Sequence, residues 1–127
     1  MNIKDGYAIV QAVKHQHEVV IISGSRNEGV RLRLHRLGIN HIFMGVQDKL
    51  NVLTEWTLAN RVKPEAVLYM GDDVPDIAAM KSVGISACPA DAAQDVLETA
   101  QYISPYHGGC GCARDVIEKV LKIKGVW

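Results

Sequence analysis

The chain has 127 residues, a length that suits one domain with one hydrophobic core. Its 14 basic and 14 acidic residues cancel, which excludes a general electrostatic attraction to nucleic acid or to an anionic membrane. No apolar stretch approaches the roughly 20 residues that cross a bilayer, and the first residues do not resemble a signal peptide. The three cysteines are too few and odd in number for a secreted disulfide framework, so we expect a cytoplasmic protein with reduced thiols.

Helical and extended patterns alternate along the chain. Apolar residues at helical spacing predict helices over 7–14, 27–37, 50–60, 77–82, 93–100 and 113–121. Short apolar runs predict strands over 19–22, 41–44, 66–70, 85–87 and 102–103. This alternation predicts an α/β fold with a mostly parallel sheet and right-handed crossovers, built as a single domain over residues 1–127.

An acidic turn follows the apolar run that ends at Met70. The sequence Gly71-Asp72-Asp73-Val74-Pro75-Asp76 places three carboxylates where ligands bind in open α/β sheets, beyond the carboxyl end of a strand. Clustered carboxylates repel one another unless a cation holds them together, and oxygen ligands suit Mg²⁺. An exposed turn in which Asp73 or Asp76 caps the next helix is equally compatible with these residues.

Two further polar residues stand at the ends of predicted strands or the starts of helices. Ser23 follows the strand over 19–22, and Lys49 opens the helix over 50–60. Together with Asp72 they would provide a hydroxyl, an ammonium and a metal-bound carboxylate around one phosphate, which predicts phosphoryl transfer. Alternatively, Ser23 is a helix-start residue and Lys49 a solvated lysine. The helix dipole disfavours a cation at a helix start, however, which favours a functional role for Lys49.

The order of the motifs resembles the haloacid dehalogenase-like superfamily, in its cap-less 3-deoxy-D-manno-octulosonate 8-phosphate phosphatase branch. The matching segments are Asn2-Ile3-Lys4-Asp5-Gly6, Ile22-Ser23-Gly24, Leu37-Gly38-Ile39, Gly45-Val46-Gln47-Asp48-Lys49, Gly71-Asp72-Asp73-Val74-Pro75-Asp76 and Gly108-Gly109-Cys110-Gly111. Response-regulator receiver domains use similar groups, but there the acid pair comes first and the lysine last. The resemblance implies a Rossmann-like three-layer sandwich and a Mg²⁺-dependent phosphomonoesterase that acts on a sugar-acid phosphate.

The resemblance also implies roles for individual residues. The catalytic residues would be Lys49, Asp73 and Asp76, with Asp76 orienting the others, and Asp72 would ligate Mg²⁺. The phosphate- and substrate-binding residues would be Ser23, Gly24, Arg26, Lys49, Gly108, Gly109 and Arg114. Members of the branch form homotetramers in which the glycine-rich tail approaches a neighbouring active site, so we expect a homotetramer here.

One element of the family pattern is missing from these residues. The nucleophilic aspartate of the family lies in an Asp-x-Asp-Gly motif on the first, central strand, and no Asp-x-Asp occurs in this sequence. We therefore expect an N-terminally truncated, inactive or impaired chain, with an empty central position or direct pairing of the strands around Ile21 and Leu68. The alternative is a non-catalytic oligomerisation module, like the domain attached to sialic-acid cytidylyltransferases. A phosphate- or Mg²⁺-binding domain without turnover is a third possibility.

Overall fold

A computed structural model describes residues 3–108 and 111–127 of the chain. In chain order, the elements are α1 (Ile3–Lys14), β1 (Val20–Ile22), α2 (Glu28–Arg36), β2 (His41–Phe43), α3 (Lys49–Ala59), β3 (Leu68–Met70), α4 (Ile77–Lys81), β4 (Ile85–Cys88), α5 (Gln94–Thr99), β5 (Tyr102–Ile103) and α6 (Cys112–Ile123). Turns of 3-10 helix precede β3 and α4, at Pro64–Ala66 and Val74–Asp76. The predicted α/β alternation is confirmed.

The described residues form two compact units. The first contains the residues up to 46 together with those from 111 onward, and the second contains residues 47–108. Each unit has its own hydrogen-bonded sheet. The description of 1–127 as one domain stays a prediction. Within the described residues, no helix combines the length and the apolar character that crossing a membrane requires.

The first unit combines a two-stranded parallel sheet with helices from both ends of the chain. Strands β1 and β2 pair with Val20 opposite His41. Ile9, Leu34 and Ile39 form its buried cluster, so α1 and α2 each contribute an apolar side to the same core. Helices α1 and α6 pack together along their lengths, which joins the two ends of the chain in one unit.

The second unit is built on a three-stranded parallel sheet in the order β3-β4-β5. Leu68 lies opposite Ile85, and Ala87 lies opposite Tyr102. The strands are parallel, so their carboxyl ends meet at one edge of the sheet. That edge brings together the acidic turn after β3, the loop after β4 and the loop after β5.

The described strands of each unit pair only as stated above, with β1 and β2 in one sheet and β3, β4 and β5 in the other. The expected alternatives, an empty central position or direct pairing of the strands around Ile21 and Leu68, stay predictions. The absence of a central strand from this chain stays a prediction.

Candidate functional site

The side chain of Asp76 is the centre of a hydrogen-bond network in the second unit. It is buried, with 3% of the residue exposed. Its Oδ1 atom accepts hydrogen bonds from the Tyr69 hydroxyl at 2.7 Å and from Lys49 Nζ at 2.9 Å. Its Oδ2 atom accepts from the backbone amides of Asp72 at 3.0 Å and Asp73 at 3.2 Å. One carboxylate therefore connects strand β3, the start of α3 and the acidic turn.

The backbone at Gly71 allows this arrangement. A Cβ atom at this position would lie 2.5 Å from Asp76 Cβ and 2.9 Å from Asp76 Cγ, closer than real Cβ atoms approach other atoms. The Gly71 amide also donates to the carbonyl of Ala87 on the neighbouring strand, at 3.0 Å. The backbone after β3 therefore passes so close to the Asp76 side chain that only glycine fits at position 71.

The hydrogen bonds decide the charge state of the buried groups. Burial acts to raise the pKa of Asp76, but the hydrogen bonds from Tyr69, Lys49 and the two amides outweigh it and leave this pKa below its ordinary value. Burial, together with the hydrogen bond to Asp76, raises the pKa of Tyr69. Asp76 is therefore an ionised acceptor at neutral pH, and Tyr69 is a neutral donor. The Lys49 side chain, 17% exposed, forms an ion pair with Asp76.

Asp72 and Asp73 are on the exposed side of the acidic turn. Asp73 caps the 3-10 turn, accepting a hydrogen bond from the amide of Val74 at 2.7 Å and forming a capping box with Asp76. The capping interpretation thus applies to Asp73. Asp76 precedes α4 but makes no side-chain cap there, because its carboxylate faces back toward the turn.

The electrostatic surroundings of Asp72 suit a cation. Burial, followed by the negative charge of Asp76, raises the pKa of Asp72. A divalent ion would offset that repulsion, and Mg²⁺ is commonly held by one or two carboxylates while it keeps several water ligands. No group of three His, Cys, Asp or Glu side chains is assembled for a metal among residues 3–108 and 111–127. The carboxylate oxygens of the acidic turn therefore suit a Mg²⁺ ion that keeps water ligands better than they suit a site in which every ligand comes from the protein.

The loop that follows β4 is hydrogen-bonded both to the acidic turn and to the loop that follows β5. The amide of Ala93 donates to the carbonyl of Asp72 at 3.0 Å, and the amide of Ala90 donates to the carbonyl of Tyr106, also at 3.0 Å. Gly108, predicted to bind substrate, donates its amide to Asp91 Oδ1 at 2.7 Å. The amide of Gly108 is therefore used within the chain. Gly109, also predicted to bind substrate, lies outside the described residues.

Ser23, Gly24 and Arg26 belong to the first unit. The Ser23 amide donates to the carbonyl of Phe43 at 2.9 Å, and its hydroxyl accepts from the amide of Ser25 at 3.1 Å. Gly24 and Arg26 are exposed on the loop that follows. The predicted meeting of Ser23 with Lys49 and Asp72 around one phosphate stays a prediction.

Arg114, predicted to bind substrate, lies in an aromatic environment in the first unit. Its guanidinium carbon is 5.9 Å from the centre of the Tyr7 ring and 5.3 Å from that of the Trp127 ring. Its Nε atom lies 3.6 Å from a carboxylate oxygen of Glu118. The guanidinium thus makes cation-π contacts and an ion pair within its own unit.

Tyr69 was missed by the sequence analysis. A tyrosine in an otherwise aliphatic strand is usually a packing residue, and its hydroxyl partner becomes evident only when the chain turns back at Gly71. The available signal was its position two residues before Gly71, near the acidic turn, where a buried hydroxyl needs a partner.

Comparisons with known proteins place these residues in a family. The model of haloacid dehalogenase-like hydrolases matches residues 38–114. A 3-deoxy-D-manno-octulosonate 8-phosphate phosphatase, KdsC, of Yersinia pestis is 37% identical over 120 residues, covering 94% of this chain and 64% of that protein. The chain therefore spans a little under two thirds of the length of that curated relative.

Solved structures agree with the sequence match. A crystal structure of the phosphatase from Yersinia pestis superposes with a TM-score of 0.96 at 35% identity, covering 99% of this chain and 68% of that one. The enzyme from Moraxella catarrhalis, solved in complex with a magnesium ion, a phosphate ion and a KDO molecule, gives a TM-score of 0.93 at 30% identity. That superposition covers 96% of this chain and 70% of that one.

Proposed function

Because this chain belongs to the haloacid dehalogenase-like hydrolase family, we propose that it carries the Mg²⁺- and phosphate-binding part of a phosphomonoesterase for a sugar-acid phosphate. The substrate class is that of 3-deoxy-D-manno-octulosonate 8-phosphate, named for the Yersinia pestis relative. The observation that carries the proposal is the buried Asp76 carboxylate, which holds Lys49 and the backbone of the acidic turn at once. The Moraxella catarrhalis structure, with its magnesium and phosphate ions, supports the same ligand pair.

In this proposal, the four polar residues in and beside the acidic turn have separate roles. Asp72 would ligate Mg²⁺, which when bound neutralises phosphate charge. An ammonium has three N–H donors, so Lys49 can bond to Asp76 with one and present others to phosphate oxygens. Asp73 keeps the turn closed by capping it, and Asp76 orients both the turn and the lysine. A fixed ammonium close to a metal-bound phosphate stabilises negative charge on the transferring oxygens.

Residues outside the acidic turn have further roles in the proposal. Ser23 and Gly24 would bind phosphate oxygens, and Arg26 and Arg114 would bind the sugar carboxylate. The tail residues Gly108 and Gly109 would contribute from a neighbouring subunit of a homotetramer. That assembly and a cytoplasmic location are part of the proposal.

Turnover requires a nucleophile that these residues do not supply. The sequence contains no Asp-x-Asp motif, so we propose that this chain by itself binds Mg²⁺ and phosphate without hydrolysing a phosphomonoester. The same feature favours the alternative, a non-catalytic oligomerisation module. The alternative gives no reason for a buried lysine-carboxylate pair beside two further acids, because a scaffold would be as stable with an apolar cluster there.

Calorimetric titration and an activity assay test the proposal. Inorganic phosphate is expected to bind in the presence of Mg²⁺ and much more weakly in its absence, and Asp72→Asn should abolish the Mg²⁺ dependence. The matched control is Asp95→Asn, which replaces another exposed acid of the same unit. Phosphate release from a panel of sugar phosphates is expected only when an Asp-x-Asp-Gly strand is added at the N-terminus. A chain that binds neither Mg²⁺ nor phosphate, and stays inactive on extension, would favour the scaffold.

A further inference from the structure

The two oxygens of the Asp76 carboxylate face different parts of the site. Oδ2 accepts from the amides of Asp72 and Asp73 and so holds the backbone of the acidic turn. Oδ1 accepts from Lys49 Nζ and from the Tyr69 hydroxyl. The turn that would hold the metal and the lysine that would hold the phosphate are thus attached to separate atoms of one side chain.

We infer that Tyr69 is a positioning residue for phosphate binding. Its hydroxyl donates to the same Asp76 oxygen, Oδ1, as Lys49 does, and it thereby fixes the position of the lysine ammonium and the strength with which that ammonium attracts a phosphate. Tyr69 itself is buried in strand β3, with 8% of the residue exposed, so it acts through Asp76 and Lys49. This inference rests on the function proposed above.

The direction of the effect follows from sharing an acceptor. The hydroxyl at 2.7 Å takes up part of the negative charge on Oδ1 and fixes the carboxylate plane. Without the Tyr69 hydroxyl, Lys49 would be the remaining donor to Oδ1 in this network. The more negative Oδ1 would then bind the ammonium more strongly in the ion pair, which measures 2.9 Å. The Lys49 ammonium would then attract a phosphate less strongly, and its position would be less well defined.

The metal side of the site is expected to respond differently. The amides of Asp72 and Asp73 are bonded to Oδ2, and Asp73 is also fixed by its cap on Val74. Removal of the Tyr69 hydroxyl leaves these bonds in place. A purely structural role for Tyr69 would instead loosen the turn and the lysine together.

The test compares Tyr69→Phe with the wild type in titrations of Mg²⁺ alone and of inorganic phosphate at saturating Mg²⁺. Thr57→Val is the matched control, because Thr57 is buried in the same unit and its hydroxyl bonds to the carbonyl of Thr54, within α3. Residues that orient a ligand group typically change affinity by about tenfold or more, so we expect phosphate binding to weaken roughly tenfold in Tyr69→Phe. Mg²⁺ binding should stay unchanged in Tyr69→Phe, and both affinities should stay unchanged in Thr57→Val.

The possible outcomes separate this inference from the proposed function. Unchanged phosphate affinity in Tyr69→Phe, or equal weakening of Mg²⁺ and phosphate, overturns the positioning role while wild-type binding leaves the function standing. Absence of phosphate binding in the wild type overturns both. Should Tyr69→Phe not fold, wild-type protein labelled with 3-fluorotyrosine provides a second measurement. The ¹⁹F signal of Tyr69 should then shift when phosphate joins Mg²⁺ and not with Mg²⁺ alone, and a signal indifferent to phosphate overturns the inference.

Discussion

Replacing Asp76 with asparagine tests the network that holds the second unit together. An asparagine has one acceptor oxygen and one donor amide, whereas the Asp76 carboxylate accepts from donors on both sides. Whichever way the amide turns, its NH₂ faces either the Tyr69 hydroxyl and Lys49 or the two backbone amides. The Lys49 ammonium, 17% exposed, also loses its counter-charge. Breaking a buried ion pair by removing one partner costs about 3–5 kcal/mol of unfolding free energy.

Urea unfolding followed by circular dichroism measures this loss. Small proteins lose about 1–3 kcal/mol of stability per molar urea, so a loss of about 3–5 kcal/mol should lower the midpoint of Asp76→Asn by roughly 1–5 M, or about 2 M at the middle of both ranges. Asp73→Asn is the matched control: asparagine is an equally good cap, and Asp73 is exposed, so its stability should change by less than about 0.5 kcal/mol. Equal midpoints for the two variants would refute the reasoning, because the buried carboxylate would then contribute no more than the exposed one.

Three further outcomes are expected. The hydrogen bonds on Asp76 outweigh its burial and lower its pKa, so its contribution is present above the unfolded-state pKa of about 3.9 and is lost as pH falls through the folded-state value. The stability gap between the wild type and Asp76→Asn, measured by urea titration, should therefore hold near neutrality and narrow in acid. A Cβ at Gly84 would lie 2.2 Å from the carbonyl oxygen of Glu65, so Gly84→Ala should cost at least about 1–3 kcal/mol in the same assay. Gly24→Ala, whose nearest contact would be 3.7 Å, serves as its control. Arg114→Ala should lose about 1–2 kcal/mol through its two ring contacts, and Arg114→Lys should lose less because an ammonium keeps part of the cation-π attraction. An Arg114→Ala variant as stable as the wild type would contradict a stabilising role for these contacts.

The elements of the fold were predictable because their signals are local. Apolar spacing located the α-helices and strands that the structure describes, and the carboxylates after Met70 identified the turn that follows β3. The differences in these elements lie at their ends, and the two 3-10 turns were not predicted. Residue 66, for example, belongs to a 3-10 turn that starts at Pro64, because proline fixes the backbone and supplies no amide for a strand ladder.

The role of Asp76 could not be resolved from local patterns. A carboxylate before a helix suits a cap, and whether it caps or turns inward depends on what lies beside it in three dimensions. Lys49 is 27 residues away along the chain, and the contribution of Tyr69 depends on the close approach of the backbone at Gly71. Arg114 illustrates the same limit, since the Trp127 ring that it contacts belongs to the end of the chain, where no periodic pattern indicates its position.

The first unit is formed by two segments that lie far apart in the sequence, and this affects the order in which parts of the chain can fold during synthesis. The described hydrogen-bond partners of the Asp76 carboxylate lie between residues 49 and 73, so this network can assemble on the ribosome while later residues are still being synthesised. The first unit contains a hydrogen bond between Arg114 and Asp5 that spans 109 residues, and helix α1 must wait for α6 before the two can pack. We therefore expect the nascent chain to acquire protease resistance in residues 47–108 first, and to keep the apolar side of α1 available to chaperones until α6 has been synthesised.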